Sequence, residues 1–292
     1  LKYYQLFFDN GFIDHRVSLN YGLLLRSLGR LKEAEKFTRR AIELSPESAN
    51  AFSSLGIILK DLDELDEAEI CQRKAIELES DYEIAYYNLG NILKDLGRLN
   101  EAEICQRKAI ELKPDLALAH SNLSQILNEF GRLEEAEISM RKAIDINPNF
   151  LIAYINLGNI LISNNKLEEA EISLRKAIEL KPDLAEAYVN LGKIFIDSGR
   201  LEEAEQSMRR AIELDPGFTM AHVNLGSMLK DLGRLEEAEV SMRKAIALKA
   251  DFADAYFNLG MIILRKGDNC QSLNYFTESA ALLNLERTPR AD

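Results

Sequence analysis

One side-chain chemistry recurs at a fixed interval along the chain. Asn20, Asn88, Asn122, Asn156, Asn190, Asn224 and Asn258 fall at one phase of a 34-residue period, with Ser54 as the single departure. A carboxamide carries both an N–H donor and a carbonyl acceptor. A column of them suits the N–H and C=O groups of an extended peptide and reads no particular side chain. Duplication of one ancestral unit would also carry an amide along at this position, and the sequence is consistent with both origins.

No other group of residues has the spacing of a reactive site. His15, His120 and His222 are the only histidines; His120 and His222 occupy the aromatic position of their repeats, three repeats apart, so they cannot share a metal ion or a proton and read as packing residues. The phosphate-binding, GxSxG and HExxH patterns are all missing. Cys71 and Cys105 lie one period apart. Equivalent points on stacked helices are about 8–10 Å apart, which exceeds disulfide reach, and the two residues make no CxxC-type metal pattern. They read as reduced thiols and imply a reducing, cytosolic compartment. Carboxylates are plentiful, but they sit on faces that read as solvated, where nothing in the sequence would perturb them. The expectation is therefore no catalytic residue, no metal and no cofactor.

The elements that would position the amides follow from the repeat. Eight copies of 34 residues run without insertion at 15–48, 49–82, 83–116, 117–150, 151–184, 185–218, 219–252 and 253–286. A period of this length is the mark of a stacked helical array, in which each unit buries its apolar face only against its neighbours. Residues 1–14 read as a partial repeat, with Tyr3, Tyr4, Phe7 and Phe8 covering the open end of the stack. Residues 287–292 read as a polar tail. The last copy is irregular, with Asn269 in an apolar position and Ser272 and Ser279 in place of two alanines.

Each copy predicts two helices. Asp115, Asn149, Asp183 and Asp251 precede the first helix and are placed to cap it, and Asp183 with Glu186 has capping-box spacing. Gly29, Gly97, Gly131, Gly199, Gly233 and Gly267 end it, with Asn165 and Asp63 as substitutes. The second helix opens on acidic residues, which favours its dipole, and carries the i,i+4 pairs Glu137–Arg141, Glu171–Arg175 and Glu239–Arg243. Proline ends it at 46, 114, 148, 182 and 216, and Ser80, Ala250 and Asn284 stand there in the other copies. Rows of Gly22-type, Ala34-type and Ala41-type residues predict close helix contacts, completed by Leu123, Leu127, Met140 and Ile144.

The net charge of −12 counts against nucleic acid, whose binding rests on cationic contacts to phosphate, and against an anionic membrane surface. No apolar run is long enough to cross a bilayer.

The aromatic, Leu-Gly, Ala, Ala, Pro pattern, read at Tyr154, Leu157, Gly158, Ala170, Ala177 and Pro182, resembles the tetratricopeptide repeat (TPR). Its amide-rich style is similar to the TPR superhelix of O-linked N-acetylglucosamine transferase. The resemblance implies an all-α, right-handed α-solenoid superhelix of helix-turn-helix repeats whose first helices line the concave side. It also implies that the asparagine column lies on that side and contacts extended peptide backbone. Neighbouring positions Leu23, Ile57, Asn91, Gln125, Asn159, Lys193, Ser227 and Met261 would add selectivity, and Lys60, Lys94 and Lys230 would rim the groove. TPR modules that clamp a chaperone's terminal carboxylate need cations in the ladder position, where this chain has Asn or Ser, so no such binding is expected. Pentatricopeptide-type RNA recognition needs a basic groove and a 35-residue period and is disfavoured. The expected function is a non-catalytic scaffold for a protein or extended peptide. The alternative is the substrate-recruiting region of a larger glycosyltransferase or sulfotransferase, motivated by the non-Met start and the abrupt polar end. Oligomeric state is not legible in the sequence.

Overall fold

Each copy puts an apolar stripe on two helices, and neither helix can bury its stripe alone. The computed structural model shows how neighbours solve this. It describes Tyr3, Tyr4, Asn10 and residues 13–287. Within them the helices are α1 (His15–Ser27), α2 (Leu31–Leu44), α3 (Ala49–Asp61), α4 (Leu65–Leu78), α5 (Glu83–Asp95), α6 (Leu99–Leu112), α7 (Ala117–Glu129) and α8 (Leu133–Ile146). They continue as α9 (Leu151–Ser163), α10 (Leu167–Leu180), α11 (Ala185–Asp197), α12 (Leu201–Leu214), α13 (Thr219–Asp231), α14 (Leu235–Leu248), α15 (Ala253–Arg265) and α16 (Asn269–Arg287). No strand occurs among the described residues. The chain divides into two compact units, residues 1–153 and 154–292.

In unit one, each second helix packs on its own first helix, and α2, α4 and α6 also pack on the first helix of the next repeat. Leu55 and Leu59 of α3, Ala68 and Cys71 of α4 and Ile92 of α5 make one such cluster. Leu89, Leu93, Ala102, Cys105 and Ile126 make the next, one period on. Successive first helices also touch one another, so their free faces form one continuous surface. At the start of the unit, the Tyr4 ring stacks on Tyr21 at 5.1 Å, while Tyr3 is exposed. Phe7 and Phe8 lie outside the described residues.

Unit two repeats the pattern. The predicted alanine rows are fully buried in both units, as at Ala136 and Ala143 and again at Ala204 and Ala211. Met140, Met208 and Met242 are buried core residues. Helix approach requires glycine at Gly158, where an added Cβ would come within 2.7 Å of Leu174 Cγ. The predicted first-helix terminators hold positive φ, including Asn165 at 56° and Asp63 at 64°. These short polar side chains tolerate that region better than most.

Four expectations need correction. First, the acids before the first helices do not cap them. Leu116, Leu184 and Phe252 occupy the N-cap positions with no side-chain cap bond, and Asp115, Asp183 and Asp251 fall one residue early. In the fourth linker the Asn147 carboxamide accepts from Asn149 N–H within the turn. True caps occur at Asp14, which accepts from Arg16 and Val17, and at Ser48, which accepts from Ala51. Second, α16 does not stop at Asn284, the place of the terminal proline, but runs on to Arg287. Asparagine retains the N–H that proline lacks, so nothing there forces a break. Residues 288–292 of the expected tail lie outside the described residues. Third, His120 and His222 do more than fill space. Their Nε2 atoms lie 3.0 and 3.1 Å from the carbonyls of Pro114 and Pro216, so Nε2–H donates to the turn before the helix.

The fourth correction concerns the second-helix carboxylates, which are not a freely solvated face. Arg98 reaches Glu69 of the preceding repeat at 2.6 Å and Glu101 of its own at 2.7 Å. Arg73 joins the same two acids at 2.8 and 3.3 Å, closing a four-charge ring across the repeat boundary. Arg107, Glu103, Arg132 and Glu135 repeat the ring in unit one. Arg209, Glu205, Arg234 and Glu237 build one in unit two. The Arg98 guanidinium bonded to Glu101 holds that carboxyl below its ordinary value of 4.5, and Arg132 does the same to Glu135. At the first boundary Glu64 stands where the rings have arginine, and Lys32 answers it at 2.6 Å.

Cys71 and Cys105 are buried, free thiols. Burial, followed by the nearby Glu67, pushes the Cys71 thiol up to about 11. No helix among the described residues is long and apolar enough to cross a membrane.

Candidate functional site

On a first helix, residues at i, i+4, i+7 and i+11 share one stripe. In α7 that stripe is Leu118, Asn122, Gln125 and Glu129, and in α5 it is Ile84, Asn88, Asn91 and Asp95. The sequence-predicted amides therefore sit mid-stripe. Asn122 in unit one, and Asn156, Asn190, Asn224 and Asn258 in unit two, are half-buried; Asn20 is exposed and Asn88 is buried.

The structure brings several of these residues together across repeats. Asn122 donates from Nδ2 to Asn91 Oδ1 at 2.5 Å. In unit two Asn190 donates to Asn159 Oδ1 at 2.8 Å. Each bond runs from the ladder position of one repeat to the neighbouring amide of the repeat before. Asn88 instead donates to Ser53 Oγ at 3.3 Å, and Asn258 donates to the Asp254 carbonyl. Ser54 is buried and donates to Asn50 Oδ1 at 3.4 Å. Lys193 is exposed.

The rim lysines are held by short polar contacts. Lys60 pairs with Asp95 at 2.7 Å, one repeat after Arg26 pairs with Asp61 at 2.5 Å. Lys94 departs from this rail and donates to Gln125 Oε1 at 2.8 Å. Lys230 donates to Asn258 Oδ1 at 2.9 Å.

Asn122 and Asn190 are thus each held by an amide of the preceding repeat. Chemically the face can exchange hydrogen bonds with a polar backbone. It holds no nucleophile beside a base, and no group of metal-ligating side chains lies among the described residues.

Comparison with known proteins identifies the repeat that builds this face. Family models described as Tetratricopeptide repeat match residues 15–48, 49–82, 84–116, 117–150 and 185–218, with a further match at 140–172. A model described as TPR repeat matches 158–196 and 226–267. The chain belongs to the tetratricopeptide repeat family. Among solved structures, the TPR protein YrrB, described as having an unusual peptide-binding site, is 26% identical, with a TM-score of 0.55 over 63% of this chain and 95% of its own. Pseudomonas aeruginosa pilF shares the fold at 19% identity and a TM-score of 0.64, over 71% of this chain and 94% of that one. The Cut9-Hcn1 tetramer of the APC/C is similar at 15% identity and a TM-score of 0.63, over 91% of this chain and 52% of that one. No curated protein matches in sequence.

Sequence reasoning missed three features of this TPR face. Gln106 of the second helix α6, itself fully buried, donates from Nε2 to Asn91 Oδ1 at 2.9 Å and so reaches the site from below. Its signal was a polar residue in the core position that Met140 and Met208 occupy elsewhere. The apolar residues Ile84, Leu118 and Ile152 share one repeat position beside the amides, and Leu118 and Ile152 are 47% and 56% exposed. Asp61, Asp95 and Glu129 make an acidic line on the other side of them.

Proposed function

We propose that this TPR array is a non-catalytic scaffold that binds an extended protein segment along its first-helix face, with the backbone of that segment hydrogen-bonded to the asparagine ladder. The assignment to an interaction scaffold follows from the family. The groove and its occupant are the part proposed.

The single observation that carries the reading is the Asn122–Asn91 bond, repeated as Asn190–Asn159. A solvated side chain with no role has no need of a fixed orientation. Here the same bond fixes the amide in both units, and ordering it beforehand lowers the entropic cost of binding. Asn122 and Asn190 each keep a carbonyl and a second N–H for a ligand. The peptide-binding description of YrrB supports the same class of partner. The charge of −12 and the absence of cations from the ladder count against nucleic acid and against a carboxylate clamp.

The test is the triple variant Asn122→Ala, Asn156→Ala, Asn190→Ala, assayed for binding to peptide arrays or to a captured partner. Affinity should fall at least tenfold while helicity is retained. Undiminished binding by a folded triple variant would refute the groove.

A further inference from the structure

The first-helix face of unit one carries three chemically distinct lanes, and together they specify more than a backbone. Along α7 the order is apolar Leu118, amide Asn122, amide Gln125 and carboxylate Glu129. At 1.5 Å rise per residue, the apolar and acidic ends of this stripe lie about 16 Å apart, with the amides between them. Helix α5 presents the same order, and the two helices are in contact, so each lane continues from repeat to repeat.

The lanes differ in what is already satisfied. On the acidic side Asp61 and Asp95 are paired by Arg26 and Lys60. The third member of the series would be Lys94 with Glu129. Lys94 instead bonds the neutral Gln125, and Glu129 is exposed with no ion pair. On the apolar side Leu118 and Ile152 are about half exposed. The same position reads Arg16 and Asn50 in the first two repeats and Glu186, Met220 and Asp254 in unit two, so consecutive apolar residues occur only at Ile84, Leu118 and Ile152.

A backbone that follows the amide column crosses the helices, and successive side chains of an extended strand point to opposite sides. One set is therefore directed over Leu118 and its equivalents and the other toward Glu129. We infer that the face of unit one selects an extended segment with alternating apolar and basic side chains, the apolar ones on the Ile84–Leu118–Ile152 lane and a lysine or arginine on Glu129. Charge complementarity decides the occupant: an acidic side chain in the second set would meet Glu129 and the line behind it. Lys94 acts as a tethered competitor, because it is the cation nearest in the series to neutralise Glu129. This inference rests on the groove reading and adds a sequence preference to it.

The experiment uses the full chain and labelled twelve-residue peptides of alternating Val-Lys, Val-Glu and Ser-Lys, with affinity read by fluorescence anisotropy. Val-Lys should bind best. Glu129→Gln should weaken it about three- to five-fold and Lys94→Met should strengthen it by a similar factor, the range of an exposed ion pair. Leu118→Ser should remove the advantage of Val-Lys over Ser-Lys. Glu168→Gln, the same charge change on an exposed second-helix site of unit two, should do nothing. If Glu168→Gln weakens binding as much as Glu129→Gln, the attraction is diffuse and the inference falls. Equal affinity for all three peptides, or no binding by any, also overturns it. The two readings separate at Asn122→Ala: loss of binding there without any preference among peptides leaves the groove standing and removes only the lanes, whereas unchanged binding removes the groove itself.

Discussion

The two units share a backbone pattern but fill it differently. In unit one the residues set against the helix-pair glycines are Thr38, Gln72 and Gln106, and Ser124 replaces the glycine itself in the fourth repeat. In unit two the facing residues are Leu174, Met208, Met242 and Phe276, against Gly158, Gly192, Gly226 and Gly260. A polar filler is tolerated where a helix carbonyl can take its proton. Thr38 donates to Ala34 O at 2.8 Å, Gln72 to Ser53 O at 2.8 Å and Ser124 to Ala136 O at 2.6 Å. The donors are satisfied, but Oε1 of Gln72 and of Gln106 is buried with no partner. Leaving a buried acceptor unpaired costs about 1–3 kcal/mol. Unit one thus leaves an acceptor unpaired at Gln72 and Gln106, where unit two, and Met140 in unit one's last repeat, place apolar volume. At Gln106 the polar choice also connects the core to Asn91 and the ladder.

Substitutions test this difference between the units, beginning with what the units should share. Ala143→Leu in unit one and Ala211→Leu in unit two should each cost about 1–3 kcal/mol by overpacking, since both alanines are essentially unexposed. Chemical denaturation of each variant measures this. A large cost in one unit and none in the other would mean the alanine rows are not equivalent.

Transplanting unit one's choice should come next in size. Met208→Gln is expected to destabilise unit two by about 1–3 kcal/mol, the penalty of an unpaired buried amide atom. Local hydrogen exchange in α11 and α12 would locate the loss.

The reverse change should be smaller and of opposite sign. Gln106→Met conserves length and removes the unpaired Oε1, so unit one should gain about 1 kcal/mol. It should at the same time loosen Asn91 and weaken any ligand bound at Asn122. Stabilisation without an effect on binding would separate the core from the site.

The ion-pair rings are common to both units, and acid should weaken them together. Glu101 and Glu135 in unit one and Glu203 and Glu237 in unit two have pKa values lowered from 4.5, each chiefly by an arginine hydrogen bond. A depressed carboxyl contributes stability above its unfolded pKa and loses it as pH falls through the folded one. Thermal midpoints should hold from neutral pH to about 4.5 and drop below it. The smallest expected effect is at the first boundary. Glu64→Arg supplies the missing arginine beside Glu35, Arg39 and Glu67 but removes the partner of Lys32, so alone it should shift the midpoint little, and adding Lys32→Met, which removes the stranded cation, should raise it.

Much of this molecule was legible one residue at a time. The period, the alanine rows, the glycines at positive φ and the i,i+4 pairs are properties of a helix and its turn, so local pattern carried them. Other features were not legible. Asp183 looked like a cap because the residue before the apolar run is the usual candidate, but the turn after Pro182 places Leu184 at the N-cap. The partners of Glu69 and of Asn122 lie about one period away in sequence.

The amino-acid order by itself determined the fold, because a 34-residue period with apolar positions at helical spacing has one economical way to bury them. It also placed the amide at one phase of the repeat. Only the stacking decided what that amide does. Whether Asn122 faces solvent alone or is held by Asn91, whether Lys94 pairs with Glu129 or Gln125, and whether Gln106 reaches the ladder all depend on distances between helices from different repeats. Those distances are set by side-chain packing at the interfaces, which no single helix encodes.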